Sequence, residues 1–177
     1  MRWLLAFGAN VNAAGQDGIT PLHTAAAGGN SAIVMELLRH KNIAVNAAME
    51  CGKTPLHTAV YNGHVEVVNA LLDHEGIDAK AAMQYGTTPL HAAAQEGQLE
   101  IVQALLSRAD VDVNTANQYK VTPLYLAAAR GHGDVAQFLL TKGADKNMRT
   151  RSGKLPADVA ATEELKLLID SRNLKAD

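Results

Sequence analysis

The residues of this 177-residue chain that could do chemistry are its seven histidines and its single cysteine. Histidine serves near neutral pH as a metal ligand, a general base or a proton relay, and a cysteine thiolate as a nucleophile. A zinc site needs Cys, His or carboxylate ligands at short fixed intervals, and neither His40 nor His74 has a Cys or a paired carboxylate so placed. The chain contains no HExxH motif, no Gly-rich phosphate loop and no nucleophile elbow. His23, His57 and His91 instead close three copies of Thr-Pro-Leu-His, while His64 and His132 each follow a glycine. A catalytic site is built once, whereas a structural contact is rebuilt in every repeat, so periodic histidines point to structure. Cys51 has Lys53 close by, which would mildly activate the thiol; a plain exposed cysteine is the simpler reading.

The histidines must be positioned by the elements their motif starts. Thr20, Thr54, Thr88 and Thr122 recur every 34 residues (54 − 20, 88 − 54, 122 − 88), the last heading Thr122-Pro123-Leu124-Tyr125, and a degraded copy follows at Leu155-Pro156-Ala157-Asp158. Such self-similarity marks a solenoid. Threonine caps a helix by accepting from an orphan backbone N–H, and proline directly after it loses nothing by lacking a donor. The histidine then falls where a capping box would carry Glu or Gln, so its ring can reach back to the turn. Gly29, Gly63, Gly97 and Gly131 suit the left-handed residue that ends a helix. A second helix follows, marked by Ile33, Val67, Ile101 and Val135 and by the pairs Leu37-Leu38, Leu71-Leu72, Leu105-Leu106 and Leu139-Leu140.

These motifs resemble the ankyrin repeat. Thr-Pro-Leu-His, the later glycine, the Leu-Leu pair and Gly8-Ala9-Asn10-Val11-Asn12 match its units, whereas the early Trp and Leu-Gly of a tetratricopeptide first helix do not occur. Three loops, Arg39 to Met49, Asp73 to Met83 and Ser107 to Asn117, are each one residue longer than the family's usual form. The resemblance implies an all-α fold, an ankyrin-repeat solenoid of stacked helix-turn-helix units with β-hairpin-like turns between repeats. It makes 1–177 a single ankyrin-repeat domain: a partial N-terminal repeat 1–14, repeats 15–48, 49–82, 83–116 and 117–149, and a shortened C-terminal capping repeat 150–177. Trp3-Leu4-Leu5 reads as the end of a second helix whose first helix is missing, which implies either upstream repeats in the native chain or a minimal cap with Trp3 as its plug. In the final unit the loop between the helices reads as trimmed. Lys120 stands where Gly18, Gly52, Gly86 and Gly153 stand in the other hairpins, so a left-handed turn there is strained, and Tyr125 replaces the capping histidine.

Composition bounds the function. With 47% hydrophobic but only 4% aromatic residues, the core must be small and aliphatic, as closely stacked thin helices require. A net charge of −2 lacks the strongly basic footprint of a nucleic-acid binder. No apolar run is long enough to insert in a membrane, and the N-terminus lacks a signal-peptide layout. A single cysteine leans towards a reducing compartment, hence a cytoplasmic or nuclear protein. Neither a cofactor, a metal nor a catalytic residue is expected.

What the resemblance implies about function is a non-catalytic scaffold that binds another protein on the concave side of its hairpins and first helices. The corresponding residues here are Asp17, Glu50, Lys53, Tyr61, Asn62, Gln84, Tyr85, Gln95, Tyr119, Arg130, Arg151 and Lys154. Tyr and Arg are enriched among binding hot spots, and charge is uneven, acidic at Asp17 and Glu50 and basic at Lys120, Arg130, Arg151 and Lys154. The expected partner segment is apolar or aromatic opposite Tyr61 and Tyr85 and acidic opposite Arg130 and Arg151. Two other roles stand beside this one: a targeting or regulatory segment of a larger multidomain protein or enzyme, and a substrate of asparagine hydroxylation at Asn12, Asn46, Asn114 and Asn147, a series that Lys80 breaks.

Overall fold

The computed structural model describes residues 10–171, so Trp3 and the expected N-terminal stub lie outside the described residues. The chain forms two compact units, Met1–Gln84 and Tyr85–Asp177. In the first, α1 (Pro21–Ala27) pairs with α2 (Ser31–Leu38), and α3 (Pro55–Tyr61) with α4 (Val65–Leu72). In the second, α5 (Pro89–Gln95) pairs with α6 (Leu99–Leu106) and α7 (Pro123–Arg130) with α8 (Gly133–Thr141). A single 3₁₀ turn at Ala157–Val159 and α9 (Glu163–Ser171) end it. No strand forms among the described residues, and the fold is an all-α repeat solenoid.

Helices this short do not hold together alone; packing in rows does that here. Within the first unit the first helices α1 and α3 meet, as do the second helices α2 and α4. The second unit repeats the scheme with α5 against α7, α6 against α8, and α8 against α9. Between the rows lie fully buried leucines, among them Leu22, Leu37, Leu56 and Leu71 in the first unit and Leu90, Leu105, Leu124 and Leu139 in the second. Burying one such side chain is favourable by about 2 kcal/mol. Ala59, Ala93 and Ala127 recur on the first helices with no exposed surface, and their small size lets the neighbouring helix approach. In the Leu-Leu pairs only the first leucine is always buried; Leu38, Leu106 and Leu140 are half-exposed.

Each first helix begins as its threonine predicts. Thr20 and Thr54 accept from the backbone N–H of His23 and His57, and Thr122 accepts from the Tyr125 N–H at 3.2 Å. The final repeat differs from expectation: the shortening falls on its first helix, which contracts to the Ala157–Val159 turn. Leu165 and Ile169 of α9 remain buried, while Glu163, Glu164, Lys166 and Asp170 face solvent. The long loops have a physical explanation in the exception to them. The shorter connection after α8 turns through Gly143 at φ +88°, while the loops after α2, α4 and α6 contain no left-handed residue and use the added residue to reverse direction.

Candidate functional site

The histidines are structural members of the repeat junctions. In the first unit, His23 Nδ1 lies 3.2 Å from the Thr20 backbone N and 2.9 Å from Thr20 Oγ1, and its Nε2 lies 3.0 Å from the Lys53 carbonyl oxygen. In the second unit, His91 repeats this with Thr88 N at 3.2 Å, Thr88 Oγ1 at 2.9 Å and the Val121 carbonyl at 3.0 Å. A backbone N–H only donates and a carbonyl only accepts, so Nδ1 is bare and Nε2 carries the proton in both rings. Burial pushes both below the usual histidine value; the carbonyl that each ring meets opposes this in part, and the charge on Lys53 lowers His23 further. Tyr125 makes the helix-capping bond alone and is half-exposed.

His64 and His132 bind the ends of first helices. His64 Nε2 is 3.0 Å from the Ala27 carbonyl and His132 Nε2 is 2.9 Å from that of Gln95. Their rings lie over Gly29 and Gly97, where an added Cβ would come within 2.7 Å of His64 and 2.5 Å of His132. Side-chain amides clamp the loops: Asn12 to the Asn42 carbonyl and Ala44 N–H, Asn46 to the Gly76 carbonyl and Asp78 N–H, and Asn114 to the Gly143 carbonyl and Asp145 N–H. An enzyme that modified these asparagines would first have to pull them out of the clamp. Among the described residues no group of three or more His, Cys, Asp or Glu is placed to hold a metal ion.

The hairpin tips carry many of the side chains that the sequence leads one to expect in contact with a partner. A ladder of backbone bonds fixes the tips, one rung per junction. In the first unit the N–H of Glu50 donates to the Asp17 carbonyl at 3.2 Å and that of Gln84 to the Cys51 carbonyl at 2.9 Å. In the second, Gln118 donates to Tyr85 and Arg151 to Tyr119, both at 2.9 Å. Each rung joins one N–H and one carbonyl of neighbouring tips.

The ladder brings some of the expected residues together. Tyr85 and Tyr119 lie with ring centroids 6.0 Å apart and planes tilted by 35°, each 50% exposed. Lys53 Nζ sits 5.0 Å over the Tyr61 ring, so this lysine is turned to the tyrosine. Asp17, Glu50, Gln84, Arg130, Arg151 and Lys154 are exposed. Two expected residues also make hydrogen bonds close to home. Asn62 Nδ2 donates to the Thr58 carbonyl at 2.8 Å, and Gln95 Nε2 donates to Glu96 Oε1 at 3.0 Å. Cys51 is exposed and free.

Backbone strain at the tips was only partly legible. Lys120 is left-handed at φ +56°, as its place predicts, but so are Asp17 at +60° and Tyr85 at +66°, for which the sequence offers no warning. Asn117 supports the Lys120 turn, its Oδ1 accepting from the N–H of Tyr119 at 2.9 Å and of Val121 at 3.0 Å. Arg149 was missed altogether: its Nη1 donates to the Gly153 carbonyl at 2.7 Å, which lays the guanidinium along the last hairpin.

Short helix pairs in rows, capped by Thr and His and joined by laddered hairpins, define an α-helical repeat protein. The chain belongs to the ankyrin-repeat family, whose three-copy model matches residues 1–83 and 75–150. No curated protein sequence matches it significantly. Ankyrin repeats are in general protein–protein interaction modules and typically non-catalytic. No described helix is long and apolar enough to cross a membrane.

Proposed function

We propose that the chain is one non-catalytic ankyrin-repeat domain over residues 1–177, working as a cytoplasmic or nuclear scaffold that binds a protein partner through its hairpin tips and first helices. The observation that supports this is the division of labour at the tips. Backbone bonds of the ladder tie neighbouring tips together, while Tyr85 and Tyr119 stay half-exposed as a pair. Two rigid aromatic side chains held in place offer contact area at little entropic cost on binding. Asp17, Glu50, Lys53, Tyr61 and Gln84 supply the first unit's share of the contact, and Arg130, Arg151 and Lys154 the polar rim of the second.

Comparative capture tests the reading. The intact chain and a Tyr85→Ala/Tyr119→Ala variant, shown by circular dichroism to be equally folded, are each used to recover proteins from native lysate, quantified by mass spectrometry. Proteins recovered by the former and depleted at least about tenfold with the latter support the tips as the interface. Equal recovery would move the site elsewhere, first to the lengthened loops around Lys41, Glu75 and Asp110.

A further inference from the structure

We infer that the second unit's hairpin tips receive an acidic segment of the partner protein, with an apolar or aromatic side chain of that segment resting on Tyr85 and Tyr119. The inference rests on the interaction-face reading above and adds the partner's chemistry. Its carrier is a segregation of charge that near-neutral totals conceal. The tip segments of this unit hold Lys120, Arg149, Arg151 and Lys154, all exposed. From Asn114 to Gly133 and from Lys146 to Ala157 there is no acidic residue at all. The unit's described carboxylates lie outside these tip segments: Glu96 at the end of the first helix α5, Glu100, Asp134, Glu163, Glu164 and Asp170 on the second helices, Asp110, Asp112 and Asp145 in the loops, and Asp158 on the final 3₁₀ turn.

None of the four tip cations is in an ion pair among the described residues; the pairs seen are Arg39 with Glu36, Arg108 with Asp110 and Lys166 with Glu163. The carboxylates nearest in sequence to Arg149 and Lys154 are occupied by backbone donors, Asp145 by the Asn147 N–H and Asp158 by the Leu155 N–H, both at 2.8 Å. Positive charge with no carboxylate paired to it among the described residues, beside an exposed aromatic pair, is complementary to carboxylates flanking an apolar side chain. The tyrosine at the centre is also the strained one. Tyr85 keeps φ +66°, a left-handed conformation that L side chains adopt only under strain, and strain of that kind gathers where a side chain is held for a purpose. A nucleic acid would use the same charges and rings. The family's general use in protein binding favours the peptide.

The test is fluorescence anisotropy on the full chain with a short labelled peptide of alternating Asp and Glu around a central Leu-Trp, its Asn/Gln counterpart, and a single-stranded oligonucleotide. The acidic peptide should bind about tenfold or more tighter than its amide counterpart and lose that advantage at high salt. Arg151→Glu with Lys154→Glu, and separately Tyr119→Ala, should each weaken it about tenfold or more. Lys142→Glu, on the second-helix row, should leave it unchanged. Equal binding of both peptides with loss in Tyr119→Ala overturns the acidic chemistry and leaves the face intact. Binding of neither peptide, or acidic-peptide binding indifferent to all tip variants, overturns the assignment of this ligand to these tips. Tip-dependent binding of the oligonucleotide in preference to both peptides overturns the protein partner.

Discussion

His91 joins two repeats through one ring, taking the Thr88 N–H on Nδ1 and giving its Nε2 proton to the Val121 carbonyl. Protonation puts a hydrogen on the bare Nδ1, where a donor already points, so the charged ring breaks the cap. Burial holds the folded-state value of His91, and of His23, below the ordinary one. The unfolded chain therefore takes up the proton first. The stability these rings contribute is whole above about pH 6.5 and is lost as pH falls from there towards the depressed folded values. Urea midpoints should fall between about pH 7.5 and pH 5.5, and His91→Gln, which can still cap but cannot titrate, should flatten that dependence; an unaltered slope would remove His91 as a source. A second residue-scale prediction concerns Gly97, at φ +71° beneath the His132 ring. Gly97→Ala should cost about 2 kcal/mol by backbone strain and collision. In a His132→Ala background it should cost less, by about 0.5 kcal/mol or more. Strict additivity in chemical denaturation would mean that the ring yields freely.

At the scale of elements, the loops are clamped from outside by asparagine. Asn114 Oδ1 takes the Asp145 N–H at 2.7 Å and its Nδ2 reaches the Gly143 carbonyl at 3.2 Å, so the connection after α6 grips the one after α8. Asn114→Ala removes both bonds at a part-exposed site where water replaces them, and should lower stability by about 1 kcal/mol. Amide exchange at Asp145 should accelerate at the same time; unchanged exchange there would show that the loop is held by its own turn. Asn114 also lines up with the expected hydroxylation sites, and the clamp explains why an asparagine is placed there whether or not it is modified.

For the whole molecule, stability is passed from neighbour to neighbour, and an end repeat must hide what the one before it leaves bare. Leu165 and Ile169 are buried and α9 packs on α8. The Ala161 N–H also binds the Ala128 carbonyl at 3.0 Å. Removing the chain from Thr150 onward should expose the apolar side of α8, speed hydrogen exchange around Leu139 and promote aggregation. A truncated protein that stayed monomeric with Leu139 equally protected would show that α7 and α8 stand alone.

The sequence by itself determined the repeat, its helix starts and its core. A capped turn and a helical apolar stripe are local patterns: Thr, Pro and His act within one turn of each other, and Leu and Ala repeat with the helix. Even the turn at Lys120 was legible, since a non-glycine residue at a glycine position announces its own strain. Tertiary structure alone decided which side chains are brought together at the tips and which bond internally. Asn62 bonds the Thr58 carbonyl of its own helix, and Gln95 the carboxylate of its neighbour Glu96. Tyr85 and Tyr119, 34 positions apart (119 − 85), became one surface only because the hairpin ladder sets their tips side by side. The physical reason is reach. Caps and stripes act between residues close along the chain, whereas a binding surface is made by side chains that only stacking brings together.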